Sequence, residues 1–312
     1  MNKPREDIVM TIKTGSVLLA GFCLSLSASQ ASAQDLGPHF KTVKEGIHVR
    51  AGVPGESNCT IILTQEGVVL IDSGNNPTDS QAVMKAVKQL TSQPVRLLIN
   101  TEPHNDHTTG HFVFSPPAII VAAAGGGDSM RKAYDPERIK KMQADPGELG
   151  AASKGYRLIA PHIEYQRKMN LILGERSFEL TYLPNVHSES DTAIWLPKER
   201  VLFTAASVSV KRFNNLRPFV SIPDTLNAIK MMKALNPEVV IPGHGDPGTA
   251  AILDNMERYY ALLMDRVKQM ALRGKSLEQI KQELKMPEYD DWEGKDRFPN
   301  NIEAAYRAVK GS

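Results

Sequence analysis

Asn100-Thr101-Glu102-Pro103-His104-Asn105-Asp106-His107 is a polar octet that directly follows the apolar run Val95-Arg96-Leu97-Leu98-Ile99. A run of that length and composition reads as a strand, which places the octet on a strand-to-loop exit. Four side chains able to bind a divalent cation, Glu102, His104, Asp106 and His107, fall within six positions. Glu102 and His104 are two apart, so an extended backbone would put them on one face. A polar loop leading to a helix N-cap fits the same residues, because Thr108-Thr109-Gly110 follow. Two later stretches shift the balance. Val186-His187-Ser188-Glu189-Ser190-Asp191 leads into the apolar Thr192-Ala193-Ile194-Trp195-Leu196, and Val239-Val240-Ile241-Pro242-Gly243-His244 delivers a histidine from a β-branched run into a glycine turn. Histidine after a strand, three times over, is the pattern of a sheet presenting ligands along one edge.

On these residues the chain resembles the metallo-β-lactamase superfamily. The likeness is carried by Asp72 in Val69-Leu70-Ile71-Asp72-Ser73-Gly74, the Glu102 to His107 stretch, His187, and His244 in Pro-Gly-His-Gly. Order and spacing agree from about His39 to Pro247. Two positions depart from the pattern. Members normally read His-x-His-x-Asp-His, and Glu102 stands where the first histidine belongs. In Leu202-Phe203-Thr204-Ala205-Ala206-Ser207, many hydrolases of the superfamily have an aspartate bridging two metals, and the matching position is Ala206.

The resemblance implies an α+β fold, a four-layer αββα sandwich of two mixed β-sheets with helices outside and the site at one sheet edge. It implies that Glu102, His104 and His187 form one metal set and Asp106, His107 and His244 a second, with Asp72 orienting them from behind. Asp72 also reads as a turn cap. Zinc is the implied metal, as one or two ions. The harder oxygen of Glu102 also suits manganese or iron, if Glu102 ligates at all. The implied chemistry is hydrolysis by hydroxide drawn from metal-bound water, with Asp106 ligating and orienting it. The small-molecule substrate expected first is a β-lactam or another cyclic amide or ester, because a missing bridging aspartate resembles the class B β-lactamases. A phosphodiesterase or sulfatase would use the same hydroxide, and fold alone does not separate them. An iron redox enzyme and a non-enzymatic periplasmic binding protein complete the alternatives, the former normally keeping the aspartate that Ala206 replaces. Lys211 and Arg212, beyond the strand-like Val201 to Thr204, are either solvated or placed to meet a substrate carboxylate.

Charge is nearly balanced, 37 basic against 35 acidic residues, so nothing points to nucleic acid or an anionic membrane. Lys13, the apolar Ser16 to Leu26 and Ala31-Ser32-Ala33 read as a secretory leader over residues 1–33, with Met10 as an alternative start. Its core is too short for a permanent membrane span. The expectation is a periplasmic or secreted protein with no stable membrane anchor, its single domain covering residues 34–312. Cleavage near Ala33 would leave Cys59 as the remaining cysteine, unable to form an intrachain disulfide and read as a packed strand residue.

Periodicity fills in the rest. Asp79 to Leu90 reads as a helix with Ala82, Val83, Ala86, Val87 and Leu90 on one face. Asp128 reads as the cap of a helix from Ser129 to Tyr134, and Asp224 as the cap of one reaching Leu235. Asp135 to Pro161 reads as a polar insertion over one end of the fold, and Ala251 to Leu272, Ser276 to Leu284 and Asn301 to Val309 as a helical tail. Met256, Tyr259, Leu263, Val267 and Met270 form a core stripe. His111 reads as a structural or orienting residue, and His39, His48 and His162 should lie away from the site.

Overall fold

Apolar runs without alternation need cover on both faces, and this chain supplies it with two sheets packed on each other. The computed structural model describes residues 8–11 and 35–311. Apart from β1 (Ile8–Thr11), the segment read as a leader lies outside the described residues. One sheet runs in chain order through seven strands: β2 (Phe40–Lys44), β3 (Ile47–Arg50), β4 (Cys59–Thr64), β5 (Gly67–Ile71), β6 (Val95–Ile99), β7 (Ile119–Ala123) and β8 (Ile163–Tyr165). Its first half is antiparallel and β5 through β8 are parallel. The other has the order β1-β9-β10-β11-β12-β13, with β9 (Lys168–Leu173), β10 (Arg176–Leu183), β11 (Asp191–Leu196), β12 (Val201–Phe203) and β13 (Val239–Ile241).

Alternation along each strand sends side chains to two different cores. Val69 and Ile71 of β5 point between the sheets, where they join Leu97, Ile99, Phe178, Leu180, Ile194 and Phe203. Val68 and Leu70 point outward and pack under α1 (Pro77–Leu90) on Val83, Ala86 and Val87. The short helices α2 (Asn105–Thr108) and α3 (His111–Phe114) follow β6, then α4 (Gly126–Lys132), α5 (Pro136–Gln143) and α6 (Glu148–Ala152). On the far side, Trp195, Leu202 and Val240 meet α7 (Ile222–Ala234), α8 (Ala251–Leu272), α9 (Leu277–Glu283) and α10 (Phe298–Lys310). Met256, Tyr259, Leu263 and Val267 of α8 are fully buried there, as their spacing predicted. Three cores separate four layers: helix, sheet, sheet, helix. Among the described residues no helix is long and apolar enough to cross a membrane.

Two helix starts differ from expectation. Ser221, not Asp224, caps α7, its hydroxyl accepting from the Asp224 amide at 3.2 Å; Pro223 in the first turn fits, since its missing N–H is not needed there. Asp128 lies inside α4, whose preceding Gly125 adopts φ 87°, and its carboxylate instead pairs with Arg131 at 2.7 Å. The polar insertion folds into α5 and α6 and packs on α1 and on the end of the octet segment. Arg138 donates to Thr109 Oγ1 at 3.4 Å, and Tyr156 stacks edgewise on Phe112.

Candidate metal centre

Parallel strands end their backbone hydrogen bonding at one edge, and there the loops after β5, β6, β10, β12 and β13 come together. Asp72 leaves β5 in the left-handed region, φ 60°, a conformation that aspartate tolerates better than most residues. Its carboxylate thereby turns back under the octet and accepts from the Thr101 amide at 2.8 Å and the Thr101 hydroxyl at 2.6 Å. It also meets His107 Nδ1 at 2.8 Å. That contact makes Nδ1 the protonated nitrogen and frees Nε2. His104 precedes α2 in extended geometry, and the single turn of α2 sets Asp106 and His107 side by side.

His244 is oriented by the same logic from another strand. Its Nδ1 meets the Glu56 carbonyl at 2.9 Å, an oxygen that can only accept, so Nε2 is again the free nitrogen. Asn58 clamps the turn around it, donating to the Pro242 and Gly245 carbonyls at 2.8 and 2.7 Å. Gly243 is required because a Cβ there would come within 2.5 Å of the Ala206 amide nitrogen. Ala206 is therefore packed backbone-to-backbone beside the site, with no carboxylate at that position.

Four histidines spread over more than a hundred positions meet in two pairs. The rings of His104 and His187 lie 5.1 Å apart, and those of His107 and His244 5.5 Å apart, both edge-on. Glu102 Oε2 is in direct contact with His104 Nδ1 and lies 3.5 Å from His187 Nε2. Asp106 Oδ2 lies 3.6 Å from His107 Nε2 and 3.5 Å from His244 Nε2. Glu102, His104 and His187 thus form one cluster and Asp106, His107 and His244 another, each with donor atoms within 4.8 Å of one another. Tetrahedral bonds of about 2.1 Å put neighbouring donors roughly 3.4 Å apart, which the separations of 3.5, 3.5 and 3.6 Å match and the closer Glu102–His104 contact does not. Both Glu102 oxygens and His107 Nε2 are buried, and the polar atoms set against them belong to the other residues of the two clusters or to each other. A buried carboxylate among imidazole nitrogens is a donor set that a cation would satisfy. The residues fit a pair of divalent ions.

The remaining candidates sort by distance. His48 bonds to Thr42 and His162 to the Ile120 amide, away from the site. His111 is buried on the Ile159 carbonyl at 2.8 Å and joins neither cluster. Lys211 is exposed and paired with Asp291 at 2.6 Å, which occupies the charge suggested for a substrate. Arg212 has no ion-pair partner among the described residues and shares a cleft of about 260 Å³ with His244 and the Gly52 to Glu56 loop. Cys59 is buried, as expected.

Two residues escaped the sequence reading. Asp191 accepts from the His187 and Ser188 amides, both at 2.8 Å, and touches the Ser188 hydroxyl, tying the histidine loop to the start of β11. Burial and the Glu102 charge push its carboxyl up, to about 7. The signal was a carboxylate four residues after a histidine, the spacing of a small capped loop. Arg217 donates to the His187 carbonyl at 3.4 Å, and its charge reaches both His104 and His187. Nothing local in sequence marks it.

Burial holds His187 at about 3 and His244 at about 4, so both are neutral and ready to bind at pH 7. Burial also opposes charge on His107, but Glu102, Asp72 and Asp106 outweigh it and lift that imidazole well above 6.5. His104 is raised in the same way by Glu102. Cation binding must then displace protons. Titration calorimetry of zinc into the cation-free protein at pH 7, repeated in buffers of different ionisation enthalpy, should show about one or more protons released per chain. An enthalpy independent of buffer would contradict this.

Residues 52–244 match the sequence profile of the family described as the metallo-beta-lactamase superfamily. The subunit alpha of a 2,4-dinitroanisole O-demethylase from Nocardioides sp. (strain JS1661) is 21% identical over 204 residues, covering 65% of this chain and 54% of that protein. Among solved structures, the sec-alkylsulfatase Pisa1 from Pseudomonas sp. superposes with a TM-score of 0.68 at 19% identity, over 86% of this chain and 49% of that one. A metallo-beta-lactamase from Pontibacter korlensis gives a TM-score of 0.56 at 20% identity, over 71% of this chain and 98% of its own. The chain spans about half the length of the first two. At these identities the structural likenesses bear on the fold, and the two mixed sheets with helices outside agree with it.

Proposed function

Because the chain belongs to the metallo-beta-lactamase superfamily, we propose that it is a metal-dependent hydrolase of a small anionic molecule, working with zinc at the two residue clusters. The observation that carries the proposal is the convergence of Glu102, His104, His187, Asp106, His107 and His244 on one buried edge. Divalent ions held there supply water of lowered pKa and positive charge against a developing anion. The chain's own residues do the rest. Asp72 and the Glu56 carbonyl fix the imidazoles of His107 and His244. Asp106, partly exposed where His107 and His244 are buried, is the carboxylate placed to hold a water and take its proton. Arg212 on the side of Asp106 and Arg217 on the side of His187 bracket the centre with two guanidiniums, which suit a carboxylate or an ester anion.

A β-lactam or another cyclic amide or ester bearing a carboxylate is the leading substrate class. The second reading is a sulfate or phosphate ester, favoured by those two guanidiniums. Side-by-side turnover of a chromogenic cephalosporin and of nitrophenyl sulfate and phosphate esters by the zinc-loaded chain separates the two classes. Arg212→Ala should raise KM for the anionic substrate about tenfold, the scale of one charge-assisted hydrogen bond, with kcat less affected. No turnover of any of these by a chain holding its zinc would sink the hydrolase reading.

Export belongs to the same proposal, as does a mature domain covering residues 34–312. Both rest on the leader pattern of Lys13, Ser16 to Leu26 and Ala31-Ser32-Ala33. N-terminal sequencing of the periplasmic protein, expected to begin near Gln34, is the check.

A further inference from the structure

Glu102 faces both clusters, not one. Its Oε2 belongs with His104 and His187, but its Oε1 lies 3.1 Å from Nε2 of His107, which belongs to the other set. Of the described carboxylates in the two clusters, Asp106 stays within its own, near His107 and His244. We propose that the Glu102 carboxylate bridges the two cation positions, one oxygen to each, and so fills the role that Ala206 leaves without a carboxylate. The inference rests on the reading of the two clusters as a metal centre.

Three observations carry it. First, Glu102 is 1% exposed, and its two oxygens meet imidazole nitrogens from both sets: His104 Nδ1 and His187 Nε2 at Oε2, His107 Nε2 at Oε1. Second, His107 Nδ1 is engaged by Asp72, so Nε2 is the ring nitrogen turned to Glu102 Oε1, 3.1 Å away. A proton on Nε2 can sit between the two atoms, and a bound cation would take its place. Third, that separation is close to the roughly 3.4 Å donor edge of a tetrahedral site, as are the Glu102–His187, Asp106–His107 and Asp106–His244 separations. One residue thus spans both sites. A histidine at position 102 presents a single free nitrogen to the site and cannot do this.

The consequence is specific to the glutamate. Ala206, packed against the Gly243 backbone, offers no carboxylate for a bridge. The two ions should therefore communicate through Glu102.

The test uses the full chain freed of metal and titrated with Co(II), read by equilibrium dialysis and by electron paramagnetic resonance. Wild type should take up two ions whose spectrum is magnetically coupled, with signal well below that of two isolated ions. Glu102→Gln keeps the shape but offers one ligating oxygen. It should lose the coupling and weaken the second ion at least about tenfold, the lower end of the range for disturbed metal surroundings. Glu102→His restores the residue usual in the superfamily, so it should bind two ions with the coupling lost. Coupling unchanged in both variants overturns the bridge, and so does a wild type holding one ion or two uncoupled ions. Turnover enters none of these readouts. Coupled ions without hydrolysis would sink only the proposed function, and hydrolysis with uncoupled ions only the bridge.

Discussion

Asp72→Ala lowers the stability of the cation-free protein by about 3–5 kcal/mol, the cost of breaking a buried ionic pair by removing one partner. Asp72 and His107 are both buried, and their contact is 2.8 Å. Without the carboxylate, the Thr101 amide and hydroxyl also lose their acceptor in a dry environment. The effect depends on pH with a definite sign. His107 is raised in the folded chain, so its contribution is fully present below 6.5 and is lost as pH rises through the elevated folded value. The wild-type advantage over Asp72→Ala should therefore shrink toward alkaline pH. Zinc affinity should fall about 10–100-fold in the variant, because His107 is no longer held in one tautomer and orientation. Urea unfolding at several pH values and competitive zinc titration measure the two effects. A variant as stable as wild type, with unchanged zinc affinity, would remove Asp72 from the account.

Asp106→Asn costs activity with little cost in stability. The side chain is partly exposed, and the amide has nearly the same shape, so the fold is undisturbed. Burial raises the Asp106 carboxyl, but His107, with help from His244 and His104, holds it below its ordinary value, so it is anionic at pH 7. On the proposed reading, replacing that anion takes away both a ligand of the second cluster and the base. Turnover should fall about 10²–10⁴-fold, the range for a positioned base, while zinc at the Glu102 cluster stays bound. Steady-state kinetics on whichever substrate turns over, combined with metal analysis, test this. A loss below about tenfold would move the base to another residue.

The parts of this architecture legible in sequence are those with local causes. Val95 to Ile99 read as a strand because its residues apart from Arg96 are apolar, and those residues divide between two different cores. The octet read as a possible ligand stretch because a strand exit and a one-turn helix are short-range geometry. Helix caps were less legible: both Asp128 and Ser221 with Asp224 offer an oxygen at a helix start, and φ 87° at Gly125 decided the first case. The support behind the site was hidden for a different reason. Glu56 reaches His244 across 188 positions, Asn58 reaches Gly245 across 187, and Arg217 meets His187 across 30. Such partners are chosen by the closing of two sheets, and no periodicity records them. Lys211 and Arg212, adjacent in sequence, differ in their surroundings: Asp291 pairs with the first, and the second has no ion-pair partner among the described residues.

The proposed metal centre places two divalent ions at one sheet edge, one at Glu102, His104 and His187 and the other at Asp106, His107 and His244, with Glu102 shared between them. Mass-spectrometric zinc analysis of the reconstituted chain beside His187→Ala and His244→Ala tests it most directly. The account predicts about two ions in wild type and about one in each variant, with Glu102 and His104 weakened in the first and Asp106 and His107 in the second. Wild type without bound zinc, or both variants keeping the full wild-type complement, would contradict it.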